Sequence, residues 1–313
     1  EGKREAERVM ERAESNYRLG LQTRELVIPS RDSNWQDFLK IADKKEQVST
    51  AGENRLIYGD NLLAIGSLLA GGDDSASVRG KVNLIYIDPP YDSKADYRRK
   101  VELPGASIEQ LPNVIEQFAY TDTWSEGTAS YLRMITPRLF LMKELLTHNG
   151  SIVVHLDWHV CHYVRMVLDE IFGKANFVNE IVWYYYNKMQ GNVNHLAKNH
   201  DVLLWYRAGD ECTFNKIREE REAPVKQLKR VWDKDKGKIV NAKGPDGKVI
   251  YIESTERTLD DVWRISMLQP ADRKENLFFN TQKPEALIER VITAISNEGD
   301  LVRVSSDLGV RLR

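Results

Sequence analysis

Apolar positions along the chain fall into two periods, and their alternation predicts strands and helices in turn. Arg55-Leu-Ile-Tyr-Gly-Asp60 is a short apolar run that ends in a turn, and Leu62, Leu63, Ile65, Leu68 and Leu69 then recur at helical spacing between Asn61 and Ala70. Val82 to Asp88, rich in β-branched and aromatic residues, predicts a strand buried on both faces. A helix is predicted over Tyr131 to Thr147, a stop at Asn149-Gly150, a strand over Ser151 to Leu156 and a helix from His159 to Phe172. Strands follow at Glu180 to Tyr186 and Asp201 to Tyr206. Strand and helix in this rhythm predict an α/β fold, a doubly wound parallel sheet with helices on both faces.

The pattern changes at both ends of that core. Residues 1–45 are charged, and Arg4, Glu7, Arg8, Glu11 and Arg12 form spaced pairs that suit a solvated helix. Residues 209–262 are polar and turn-prone, with Gly244-Pro-Asp-Gly247, and predict a smaller inserted domain. A helical spacing returns from Pro284 to Ile295, and Leu301-Val302 starts a strand. The domain reading is therefore 1–45 extension, 46–208 first part of the core, 209–262 insertion and 263–313 second part.

Composition narrows the class without naming a function. The 313 residues are 42% apolar and 29% charged, which predicts a globular chain. No apolar run reaches the roughly 18 residues of a membrane span, and no apolar signal core opens the chain, so a cytoplasmic location is expected. The missing initiator Met predicts a piece of a longer product. Two cysteines, Cys161 and Cys212, exclude a disulfide framework and a thiolate zinc cage. A net charge of −2 excludes a wholly basic nucleic-acid coat and leaves DNA contact to local patches.

The chemistry is concentrated in Asp88-Pro89-Pro90-Tyr91, at the carboxyl end of a predicted buried strand, where open sheets bind ligands. An exocyclic amino group on a base is a poor nucleophile, because its lone pair is delocalised into the ring. A site that methylates it needs acceptors aimed at the amino hydrogens. Asp88 supplies a carboxylate, the Pro89 carbonyl a second acceptor, and Tyr91 a ring face for an extruded base. Consecutive prolines stiffen the turn before the base arrives. The bland alternative is a strand-ending turn that happens to contain two prolines.

Tyr86-Ile-Asp-Pro-Pro-Tyr91 resembles the catalytic motif of DNA amino-methyltransferases that use S-adenosylmethionine. Leu56 to Asn61, Gly150 to Asp157, Asn179 to Trp183 and Asn280 to Glu285 resemble further segments of the adenine-specific, type III modification-subunit branch, in family order. The resemblance implies a Rossmann-like methyltransferase fold with an inserted target-recognition domain, acting on adenine in duplex DNA by base flipping. It implies that Asp88, Pro89, Pro90 and Tyr91 bind and activate the base. It implies that Asp60, Thr281, Gln282, Lys283 and Pro284 approach the donor. Asp60 reads equally as a helix N-cap, and Lys283-Pro284 as a simple helix start. A cytosine amino-methyltransferase and a catalytically silent DNA-binding remnant are the rival readings. A homodimer and a restriction subunit are further partners that the resemblance raises.

The tail departs from the family's glycine-rich donor turn: Arg303-Val-Ser-Ser-Asp-Leu-Gly309 carries one glycine where two or three are expected. The expectation is a sheet incomplete at the C-terminus and weak donor binding by this chain. For DNA, Lys226, Lys229 and Arg230, with Trp232 beside them, combine cations with an aromatic, though a solvated helix face fits them as well. Lys94, Arg98 and Arg99 stand where phosphates flanking a flipped base would lie. His155, His159 and His162 are discounted as metal ligands, because a strand and a helix separate them. Trp183 to Tyr186 reads as core packing in a strand rather than as a stacking platform.

Overall fold

The computed structural model describes residues 1–14, 26–27, 55–57, 60–71, 76–90, 99–103, 106–110, 127–188, 194–272, 274–276, 282–306 and 309–312. They form two compact units, one of Glu1–Phe214 with Asp261–Arg313 and one of Asn215–Asp260.

In chain order the first unit begins with helix α1 (Gly2–Glu14), strands β1 (Leu26–Val27) and β2 (Arg55–Ile57), helix α2 (Asn61–Ala70) and strand β3 (Val82–Asp88). A hairpin of β4 (Arg99–Leu103) and β5 (Ala106–Gln110) follows, then α3 (Thr128–Leu145), β6 (Leu146–Leu156), α4 (Cys161–Phe172), β7 (Phe177–Tyr184) and β8 (His200–Arg207). The second unit holds β9 (Arg218–Leu228), β10 (Arg230–Asp233), β11 (Lys238–Asn241) and β12 (Tyr251–Thr258). The first unit resumes with β13 (Val262–Arg264), α5 (Glu285–Ile295), β14 (Val302–Ser306) and β15 (Gly309–Leu312).

One sheet runs in the order β1-β2-β15-β14-β3-β6-β8-β7-β13. The pairs β14–β3, β3–β6 and β13–β7 are parallel, as the strand–helix rhythm predicts. The sheet is mixed rather than parallel throughout: β8 and β15 each run antiparallel to both neighbours, and β1 runs antiparallel to β2. A parallel partner for β7 would need a crossover that carries the chain back along the sheet. Residues 185–199 contain no helix among those described, so the chain reverses and β8 lies beside β7 as a returning strand.

Alternation sorts the side chains onto two faces. Ile85, Ile87, Ile152, Val154, Leu204 and Tyr206 lie in the core with Ile65 and Leu69 of α2, Ile135 and Leu139 of α3, and Val164 and Leu168 of α4. Helix α1 is charged but not solvated all round: Ala6 is buried and Val9 and Met10 pack on the same core. The opposite face carries Tyr86, His155, Leu203, Trp183 and Trp263, and α5 sets Arg290 over the Trp263 ring. Asn149-Gly150, expected to stop a helix before a strand, lies within β6. A Cβ on Gly150 would come within 2.9 Å of the Val82 carbonyl oxygen, so glycine is what lets the strands approach there.

The second unit is two antiparallel pairs, β9 with β12 and β10 with β11. Residues 226–228 and 230–232 are strand, not helix, with Lys229 between them, and place Lys226 opposite Glu253 and Arg230 opposite Asn241. Trp232, opposite Ile239, is 62% exposed.

Candidate active site

Because β2, β14, β3, β6 and β7 all run the same way, their carboxyl ends share one edge of the sheet. That edge collects Asp60 after β2, Asp88-Pro89-Pro90 after β3, Asp157 after β6 and Tyr185 after β7. Ligands of open α/β sheets bind there.

Asp88 ends β3, and its carboxylate is largely buried. Lys283, 195 residues further along the chain, donates from Nζ to Asp88 Oδ2 at 2.6 Å. The two side chains are 12% and 13% exposed, so water screens the pair little. Asp88 Oδ1 lies 3.9 Å from Nδ1 of His155, which is wholly buried in β6.

A chain of buried polar groups crosses four strands beneath this carboxylate. Asp201, an acceptor when ionised, meets His155 Nε2 at 3.2 Å, which puts the imidazole proton on that nitrogen. Nδ1 is then the acceptor for the Tyr86 hydroxyl at 2.7 Å. The Tyr185 hydroxyl donates to the other Asp201 oxygen at 3.2 Å, and Trp183 sets its ring edge on His155, 5.5 Å between centroids. Burial, and then the charges of Asp88 and Asp201, hold the Tyr86 hydroxyl well above the usual phenol range, so it stays a donor. Burial opposes ionisation of Asp201, but the hydrogen bond from His155, the charge of Lys283 and the hydrogen bond from Tyr185 outweigh it and keep that carboxyl below its ordinary range.

Asp60 caps α2, accepting from the amides of Leu62 at 2.8 Å and Leu63 at 3.2 Å. Its second oxygen takes Arg138 Nη2 at 3.4 Å, while Arg138 Nε also donates to Asn61. The N-cap reading of Asp60 is therefore realised in the geometry. Gln282 donates to the Glu275 carbonyl at 2.8 Å, and the Pro284 carbonyl accepts from Leu287 at 3.0 Å to start α5. Tyr91, Lys94, Arg98 and Thr281 lie outside the described residues, and of Arg99 only the strand position in β4 is described. Among the described residues no His, Cys, Asp and Glu group could hold a metal. His159 instead bonds Asp157, and both His155 nitrogens are engaged.

Sequence reading located Asp88 and named Lys283 on the donor side, but missed that the two pair, and missed Asp201 and Tyr86. A carboxylate opening an apolar strand, as Asp201 does, is a signal for a buried, paired charge. Nothing local connects Lys283 to Asp88.

An acidic residue and two prolines thus stand at the carboxyl edge of a mixed α/β sheet, where ligands of such sheets bind. Residues 82–303 match the model of a family of DNA methylases, and the chain belongs to that family. It is 28% identical to the Mod subunit of the type III restriction-modification enzyme EcoP15I of Escherichia coli, over 53% of this chain and 26% of that protein. To the type II methyltransferase M.EcaI of Enterobacter cloacae it is 27% identical, over 72% of this chain and 45% of that one. The chain thus spans less than half the length of either relative. Against the solved M1.HpyAVI–SAM complex it is 20% identical, covering 71% of this chain and 70% of that one, with a TM-score of 0.34.

Proposed function

We propose that this chain transfers a methyl group from S-adenosylmethionine to the exocyclic amino group of adenine in duplex DNA, reached by base flipping. The observation that carries the reading is the Asp88 carboxylate, held at the carboxyl edge of β3 by a buried ion pair and followed by Pro89-Pro90. Asp88 accepts from one amino hydrogen and the Pro89 carbonyl from the other, which localises the nitrogen lone pair for attack. Tyr91 stacks on the extruded base. The donor supplies an electrophilic methyl on a sulfonium.

The residues of this edge fit that donor in part. Asp60 and residues 282–284 border the edge, but after β14 the chain returns as β15 instead of opening a helix whose N-terminus would face a bound group. The second unit, with Lys226, Lys229 and Arg230, reads the target sequence, and Lys94, Arg98 and Arg99 meet flanking phosphates. Similarity to Mod subunits favours adenine over cytosine, a restriction subunit as partner and a cytoplasmic site of action. A homodimer is a further proposed assembly.

Incubation with labelled donor and unmethylated DNA, followed by nucleoside analysis, tests this. N6-methyladenine is expected. Asp88→Ala is expected to reduce incorporation by at least ~100-fold, the scale for removing one preorganised polar group, with an unchanged circular-dichroism spectrum. N4-methylcytosine as the product, or equal incorporation by Asp88→Ala, overturns the assignment.

A further inference from the structure

The chemistry above uses the Lys283–Asp88 pair only to hold the carboxylate, and the family resemblance implies for Lys283 a contact with the donor. The geometry points elsewhere: we propose that Lys283 is a positioning residue for methyl transfer, whose ammonium aims the Asp88 carboxylate at the target base. This rests on Asp88 being the group that receives the base.

Three observations carry it. The Nζ–Oδ2 distance is 2.6 Å between side chains about seven-eighths buried, so the contact is direct and poorly screened. The residues on both sides of Lys283 are held, Gln282 by its side-chain amide on the Glu275 carbonyl and Pro284 at the head of α5, whose Leu287, Val291 and Ile295 are buried. The ammonium therefore starts from a fixed point. The third is what lies below. Asp88 and Asp201 approach the buried His155 from opposite ring nitrogens, at 3.9 and 3.2 Å. Without the ammonium, two carboxylates would face each other across that ring, and repulsion would turn Asp88 away from its aim. With Oδ2 on Lys283, the position of the carboxylate is set before any base arrives.

A positioning role and a donor-contact role separate in kinetics. Lys283→Met, Lys283→Gln and Lys283→Arg are compared with the unaltered chain for rate of transfer to DNA, for KM and for S-adenosylmethionine affinity by calorimetry. The expected result is a fall in kcat of about 10- to 100-fold for Lys283→Met and Lys283→Gln, the range for a small misplacement at a reacting centre. Donor affinity and both KM values should stay within about twofold, and Lys283→Arg should recover most of the rate. The Gln variant carries the test if Met fails to fold. Unchanged kcat, or a loss of donor affinity as large as the loss of rate, overturns the inference. If the unaltered chain transfers no methyl, the functional reading itself fails and the role of Lys283 goes with it. If the unaltered chain is active and Lys283→Met matches it, the positioning role alone fails.

Discussion

Arg303 sits in β14 opposite Ile85, wholly buried, and its three guanidinium nitrogens meet no acceptor among the described residues. Register puts it on the face covered by α2 and α3, where its neighbours are apolar. Burial alone pushes its pKa down to about 9. A base whose folded value lies below its unfolded one destabilises the fold at every pH under the folded value, and the penalty is relieved as pH rises from there. An uncompensated buried charge costs several kcal/mol. Arg303→Leu is therefore expected to stabilise the chain by at least ~2 kcal/mol, or roughly 4–8 °C in Tm. The advantage should narrow as the buffer is raised from about pH 9 toward 10.5. Thermal melts of the two chains across that range decide it; equal Tm at pH 7 would mean the guanidinium has found a partner. The residue scale also shows what reading a sequence can reach. Asp88 was legible because two prolines after a buried strand constrain the backbone and the chemistry together. Lys283, Asp201 and Tyr86 were not, since each acquires its role only from a residue on another strand or helix.

Elements differ in how far the sequence reveals them, and the illegible ones share a cause. Helix α2 was legible to the residue because Asp60 caps it and Gly71 ends it, both local signals. The direction of β8 was not, because antiparallel and parallel buried strands carry the same apolar run. Nor was the strand character of residues 226–232, where cations alternate with apolar residues as readily on a solvated helix. That stretch carries two predictions on target recognition. Exchanging residues 211–261 for the equivalent segment of a relative is expected to change which sequence is methylated, because base edges specify while phosphates only position. An unchanged sequence preference would place recognition elsewhere. Neutralising Lys226, Lys229 and Arg230 to Gln is expected to reduce the slope of log affinity against log salt by about 2–3, close to one for each phosphate no longer neutralised. Titrations of duplex DNA at several salt concentrations measure that slope directly, and an unaltered slope would remove these three from the interface.

At the scale of the whole molecule, the sheet gathers its polar ends on one edge while the apolar bulk of both faces is covered by helices. The edge joins segments from across the chain, and its buried ion pair joins residues 195 positions apart. That separation is also a duration. A ribosome adding roughly 5–20 residues per second needs on the order of 10–40 s to pass from Asp88 to Lys283. Throughout that interval the Asp88 carboxylate is in the chain before the ammonium it pairs with has been made.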